Sequence, residues 1–208
     1  MLFTPRGGQL AVLCVRAGDP RARERWQLPT AGADDESLDA AARGIVRAAV
    51  GTDPTWMEQV GAFADGRQHP AGVELSVAFV GVVPATALEH ANPEVAWFSV
   101  SEPPLLPERH RAMLDAGVEA LRTRMDYAPI AFRLLPAMFT LSELQQMYEI
   151  LLGRRLHKAS FRRALQAAAL VEATEEWRSE GRGRPAQFYR FAPRKRRGAR
   201  RAVRFDLL

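Results

Sequence analysis

The chain of 208 residues has one cysteine, two lysines and no long apolar run. A single thiol, Cys14, excludes an internal disulfide and a cysteine-based metal cluster. Its setting in "LAVLCVRA" reads as a small buried hydrophobe. No segment approaches the ~18–20 apolar residues of a membrane span, and the N-terminus lacks the pattern of a secretory signal, so a cytoplasmic protein without membrane partners is expected. Lysine is almost wholly replaced by arginine. His69, His90 and His110 show no metal-ligand spacing, and a solvent-exposed place is expected for each. No metal and no cofactor is expected.

Charge is unevenly spread. Residues 1–125 hold 12 Arg and no Lys against 16 acids, a net −4. Residues 126–208 hold 15 Arg and 2 Lys against 8 acids, a net +9. A slightly acidic half joined to a strongly basic one is the pattern of a polyanion-binding module carried by something else.

The first half alternates strand-like and helical patterns. Strands are expected in "QLAVLCVRA", "WQLPTAG", "TWMEQVGAF", "VELSVAFVGVV" and "EVAWFSV"; the opening strand looks truncated, since only "MLFT" precedes a Gly-Gly turn. Ser37–Val50 reads as a helix, with Leu38, Ala41, Ala42, Ile45 and Ala49 as its apolar stripe and Gly51 as its C-terminal stop. A second helix spans Glu108–Met125. Two helices on a mixed sheet give an α+β or α/β domain.

The second half changes character. "YAPIAFRLLP" is a short helix between prolines. "TLSELQQMYEILLG" opens on Thr140 and Glu143, the spacing of a capping box, and ends on Gly153. "SFRRALQAAAL" is a third helix, and "VEAT" with "QFYRFA" makes a hairpin around the loop "EEWRSEGRGRPA". Helix, helix, helix, hairpin is the order of a winged helix-turn-helix. Its second paired helix would lie in the DNA major groove, presenting Lys158, Ser160, Arg162 and Arg163, with Phe161, Ala164, Leu165 and Ala168 anchoring it. The loop carries Arg178, Arg182 and Arg184, and Arg182-Gly183-Arg184-Pro185 resembles the core of an AT-hook, suited to a narrow minor groove. Phe188, Tyr189 and Phe191 read as hairpin core rather than base-stacking platforms. The arginine-rich tail would add salt-dependent, sequence-independent affinity.

One stretch carries a sharper resemblance. "LPTAGADDESLDAAARGIVRAAVG" is similar to the Nudix box: its loop, its Glu-Ser-Leu helix start and its closing glycine align without gaps. In that family the positions of Ile45, Ala48 and Ala49 are glutamates that hold divalent metal against a pyrophosphate, and the position of Gly44 is an arginine that orients one of them. Here all four are lost, and Thr30 and Ala31 replace loop glycines. Acids remain at Asp34, Asp35, Glu36 and Asp39, best read as favourable charges in a first helical turn.

A Nudix-like domain followed by a winged helix resembles the Nudix-related transcriptional regulators of the NrtR family. The likeness runs through "DGRQHPAGVELSVAF", "AWFSV", "YAPIAFRLLPAMFTLSELQQMYEILLGRRLHKASFRRAL" and "GRPAQFYRF". It implies an α/β/α Nudix-like sandwich with a mixed sheet over 1–125, a winged helix-turn-helix over 126–193 and a basic tail over 194–208. It implies, further, a homodimeric repressor of NAD-related genes on palindromic double-stranded DNA, responding to ADP-ribose or a related nucleotide. His157 stands where the family commonly has an acidic helix cap. Arg43, Arg47 and Arg67 are the candidates for effector contacts. Two alternatives stay open: a diverged Nudix hydrolase using Glu36 and Asp39, and a regulator that binds DNA without a ligand.

Overall fold

A computed structural model describes residues 1–18, 23–33, 36–64, 69, 71–88, 94–126, 128–179 and 185–192. Arg67, Arg182, Arg184, His90, Asp34, Asp35 and the tail from 194 lie outside the described residues. The chain divides into two compact units, Met1–Leu121 and Arg122–Leu208. No described helix is long and apolar enough to cross a membrane.

The first unit is a mixed six-stranded sheet with β1 (Leu2–Arg6), β2 (Gln9–Arg16), β3 (Trp26–Gln27), β4 (Trp56–Phe63), β5 (Ser76–Val82) and β6 (Val95–Ser99). Along it run β3, β2, β1, β5 and β4, with β6 on the other edge of β2. β1 and β5 are parallel and the other pairs antiparallel. The opening strand is therefore not truncated. Its five residues pair on both edges, because Gly7 and Gly8 take positive φ and turn the chain at once into β2.

Successive strand residues face opposite sides. On one side Leu2 joins Leu13, Val83, Val46 and Val50, the last two from α1 (Leu38–Val50). On the other, Phe3 faces Gly117 of α2 (Glu108–Arg124), where an added Cβ would lie 3.7 Å from its ring. The two helices thus flank the sheet, as the expected sandwich requires. Cys14 is fully buried in β2, and desolvation pushes its thiol up to about 12, as suits a packing residue.

His69 and His110 are not solvent-exposed, as their spacing had led us to expect. Both are buried, with their Nε2 atoms 3.0 Å apart. Forty-one residues separate them, so no local pattern announces the contact. Burial first, then His69, the N-terminal ammonium and Arg109, lowers His110 to about 4; burial and Arg109 also lower His69.

In the second unit α3 (Ile130–Arg133), α4 (Leu141–Leu152) and α5 (Lys158–Ala168) pack with a three-stranded sheet ordered β7 (Met138–Thr140), β9 (Ala186–Phe191), β8 (Val171–Arg178). This is the expected winged helix, with an extra short strand, β7, ahead of α4. Phe132 is the hub, its ring 4.5 Å from Phe191, 5.7 Å from Phe139 and 6.3 Å from Tyr148, which in turn meets Phe161 at 5.6 Å. Offset and edge-on pairs of this kind add to simple burial. The capping box forms as expected: Thr140 Oγ1 accepts from Glu143 N–H, and the Glu143 carboxylate accepts from Thr140 N–H.

One feature of this unit has a measurable consequence, as does the histidine pair of the first. Ala169 closes α5 at φ 51, a left-handed conformation that costs a Cβ-bearing residue roughly 1 kcal/mol or more. Ala169→Gly is expected to stabilise the protein by about 1 kcal/mol, read as a higher urea midpoint at unchanged slope. For His110, the unfolded chain takes up a proton near the ordinary value of 6.5, whereas the folded chain refuses it until about 4. Stability contributed by the neutral ring is therefore present above pH 6.5 and lost progressively as the pH falls towards 4. Urea unfolding across that window should show a steeper pH slope for the native chain than for His110→Gln; equal slopes would contradict the burial argument.

Candidate functional site: an apolar cavity and a basic helix

The first unit holds a cavity of about 590 Å³, within the range of small-molecule sites. One wall is the loop Leu28–Ala33, and a second is α1 through Leu38, Ala41, Ala42, Ile45, Val46 and Ala49. A third comes from β5 and the segment before it, including His69, Ala71, Val73 and Ser76. The stripe read from the sequence as the apolar face of α1 is thus largely its cavity face. The sheet-packed face is the neighbouring one, built on Val46 and Val50, and Leu38 is 45% exposed.

The four altered Nudix-box positions separate cleanly. Ile45 and Ala49 form cavity wall, while Ala48 is exposed. Gly44 has open space around its Cα, so a longer side chain would fit there. Helix geometry explains the division, since 45 and 49 are one turn apart on one face. Among the described residues lining the cavity there is no Asp, Glu, Lys or Arg side chain. Nor do the described residues contain a cluster of three or more His, Cys, Asp or Glu able to hold a metal.

Arg43 and Arg47 are not brought to the cavity. Arg43 Nε donates to Asp39 at 2.8 Å and Arg47 Nη1 to Asp53 at 2.8 Å, both at the surface. The same ion pair occupies Asp39, the metal-ligand candidate of the hydrolase alternative, and neither Glu36 nor Asp39 lines the cavity. A basic residue that periodicity did not single out lies next to it. Arg109 of α2 is 3% exposed, and its Nη1 donates to the Val73 carbonyl at 2.8 Å and Ser76 Oγ at 3.3 Å, two residues of the cavity wall. Its Nε has no hydrogen-bond partner.

In the second unit, α5 is held by the burial of Phe161 and Leu165, with Ala164 and Ala168 half-buried beside them. Lys158, Arg162 and Arg163 project from it into solvent, as expected for a DNA-reading face. Ser160 is turned towards the helix start, its Oγ 3.4 Å from His157 Nδ1. His157 occupies the N-cap position without a side-chain cap bond. Arg162 also borders a smaller recess of about 300 Å³ with Thr140, Ser142, Trp177 and Gln187.

Arg178 is a correction. It belongs to β8, not to the hairpin loop, because the strand runs on past "VEAT" through an irregularity between Ala173 and Trp177. Its guanidinium bonds Glu143 at 2.7 Å and lies 4.9 Å above the Phe188 ring, so it braces the hairpin against α4. The aromatic residues of β9 are only partly core: Phe191 packs its ring on Phe132 yet is 36% exposed, and Phe188 and Tyr189 are half-buried, Phe188 beneath Arg178.

Known proteins share both halves of this arrangement. Residues 131–191 match the model of the NrtR DNA-binding winged helix domain. Over 200 residues the chain is 30% identical to the ADPR-responsive transcriptional repressor NtrR of Acinetobacter baylyi, covering 92% of this chain and 79% of that protein. Shewanella oneidensis NrtR, solved with a 27-mer DNA, superposes with a TM-score of 0.74 at 28% identity, over 92% of this chain and 91% of its own. A MutT/nudix family protein from Enterococcus faecalis has the same fold, with a TM-score of 0.70 at 18% identity over 92% of this chain and 85% of its own. On that similarity, which runs through sensor-like sheet and winged helix alike, the chain belongs to the NrtR family of Nudix-related transcriptional regulators.

Proposed function

We propose that this chain is a DNA-binding transcriptional repressor whose Nudix-like unit has given up hydrolysis and reads a nucleotide-type effector such as ADP-ribose. The observation that carries the reading is the retention of a ligand-sized cavity whose α1 wall presents Ile45 and Ala49 where metal-binding carboxylates would stand. The response of the Acinetobacter relative to ADP-ribose and the DNA complex of the Shewanella relative support the same partners for this chain.

In this reading residues 1–125 sense, 126–193 bind DNA and 194–208 add nonspecific phosphate contacts. The protein acts in the cytoplasm as a homodimer on a palindromic operator, and its targets are genes of NAD metabolism. Lys158, Arg162 and Arg163 reach the major groove from α5, with Ser160 close to the helix start. Arg182 and Arg184 enter the flanking minor groove. Arg43 and Arg47 have surface ion pairs instead of an effector role. Effector binding shifts α2 and the segment after it, altering how two recognition helices meet their half-sites.

Two experiments test this. Gel shifts with the protein's own upstream and neighbouring promoters should show a specific complex that ADP-ribose dissociates. In the same assay Arg162→Ala and Arg163→Ala should each weaken binding by roughly 1–3 kcal/mol, or about 5- to 150-fold. Operator affinity unchanged in both variants would remove α5 from the recognition role. Separately, ADP-ribose incubated with the protein and Mg²⁺ or Mn²⁺ should remain intact; turnover abolished by Asp39→Ala would establish the hydrolase instead.

A further inference from the structure

The cavity lining is mostly apolar, and at the corner around His69 and Ser76 there are too many donors. Leu28 N–H donates to His110 Nδ1 and Ala71 N–H donates to His69 Nδ1, each at 3.1 Å. Both Nδ1 atoms must therefore be unprotonated, because a backbone N–H can only donate. Two neutral imidazoles then carry their protons on Nε2, and those two atoms face each other at 3.0 Å. One proton fits between them, not two. Protonating either ring would make the excess worse, and burial holds both rings neutral.

Arg109, the residue before His110, has the same excess. It is buried, always charged, and without a carboxylate partner among the described residues. Its Nη1 is satisfied by neutral oxygens and its Nε by nothing. A buried guanidinium in this state is costly unless an anion completes it. His69, Ala71, Val73 and Ser76, which these groups engage, all line the cavity. What the corner lacks is an acceptor bearing negative charge.

We propose that the corner formed by His69, Ala71, Ser76 and Arg109 anchors the anionic, acceptor-rich end of the effector, a phosphoryl group, while the apolar wall takes its uncharged remainder. The proposal rests on the cavity being the effector site. An acceptor oxygen arriving beside Ala71 resolves the proton conflict. His69 adopts its Nδ1–H tautomer and donates to the ligand together with Ala71 N–H. Its Nε2 then accepts from His110 Nε2–H, and His110 Nδ1 keeps the bond from Leu28. A continuous donor chain results, from the loop at Leu28 through α2 to the ligand, with no proton gained or lost. The Arg109 charge favours an anion over a neutral acceptor at the same place.

Calorimetry on the full-length protein with ADP-ribose, adenosine and ribose 5-phosphate, for the native chain and His69→Phe, tests this. The native chain should bind ADP-ribose at least tenfold more tightly than adenosine. His69→Phe should lose at least tenfold for ADP-ribose and for ribose 5-phosphate, with adenosine unchanged. If the native chain binds ADP-ribose and His69→Phe binds it equally well, the anchor is wrong and the sensor reading stands. If the native chain binds none of the three, both fall. Because His69→Phe could disturb folding, ¹⁵N spectra of the histidine rings of the native chain give an independent measure. ADP-ribose should move His69 to the Nδ1–H tautomer and leave His110 as Nε2–H; binding without a change at His69 overturns the proposal.

Discussion

The first unit depends on the contact of Val46 and Val50 with Leu2, Leu13 and Val83. These residues are nearly inaccessible, and burying side chains of this size is worth roughly 1.5–3 kcal/mol each. They fix α1 to the sheet by a narrow stripe, with Ala49 packed partly against it, which leaves Ala42 and Ile45 facing a hollow. A helix attached by its whole apolar surface would close the cavity. The Ser37 cap at one end and Gly51 in the left-handed conformation at the other keep the helix intact without help from the cavity side. The helix frame therefore rests on Val46 and Val50 rather than on Ile45 and Ala48, two of the positions that are glutamates in the Nudix box.

In the second unit Glu143 has the corresponding place. Its carboxylate accepts from Thr140 N–H and from Arg178, and burial is outweighed by these bonds, so its titration is lowered below the ordinary carboxylate value. The cap of α4 and the brace of the hairpin are thus one carboxylate. Arg178 is occupied by structure, whereas Arg162 and Arg163 stand exposed on α5, a helix that carries no acid of its own. Arginine count alone does not distinguish these uses; the partner does.

Local signals were legible and distant ones were not. The caps of α1 and α4 could be read because a cap involves residues three or four apart, and the anchoring of α5 by Phe161 and Leu165 follows from helical period. Period also assigned the stripe through Leu38, Ile45 and Ala49 to a buried face, but period cannot tell a packed face from a cavity wall. β8 was read as ending at Thr174 because Glu175 and Glu176 look like loop, yet an irregular pairing carries the strand to Arg178. β7 has only three residues and no alternation to recognise. His69 and His110, which show no metal-ligand spacing, were read as exposed; only the packing of α2 against the segment before β5 brings them together.

The proposed anion corner and the absence of carboxylates from the described cavity lining are electrostatically consistent. A cavity bearing glutamates at 45 and 49 would repel a phosphorylated ligand unless divalent cations stood between them, so metal and ligand would enter as a unit. With Ile45 and Ala49 in the wall, that negative field is absent, and Arg109, bonded to the wall residues Val73 and Ser76, meets no acid among the described lining residues. Charge interactions of this kind are strengthened where water is excluded. If an anion enters this cavity, it is protein donors rather than carboxylate-bound metal that the described lining offers it. In the proposed sensor, a ligand held without metal-activated water would be bound and released unchanged, and occupancy of the cavity would follow its concentration.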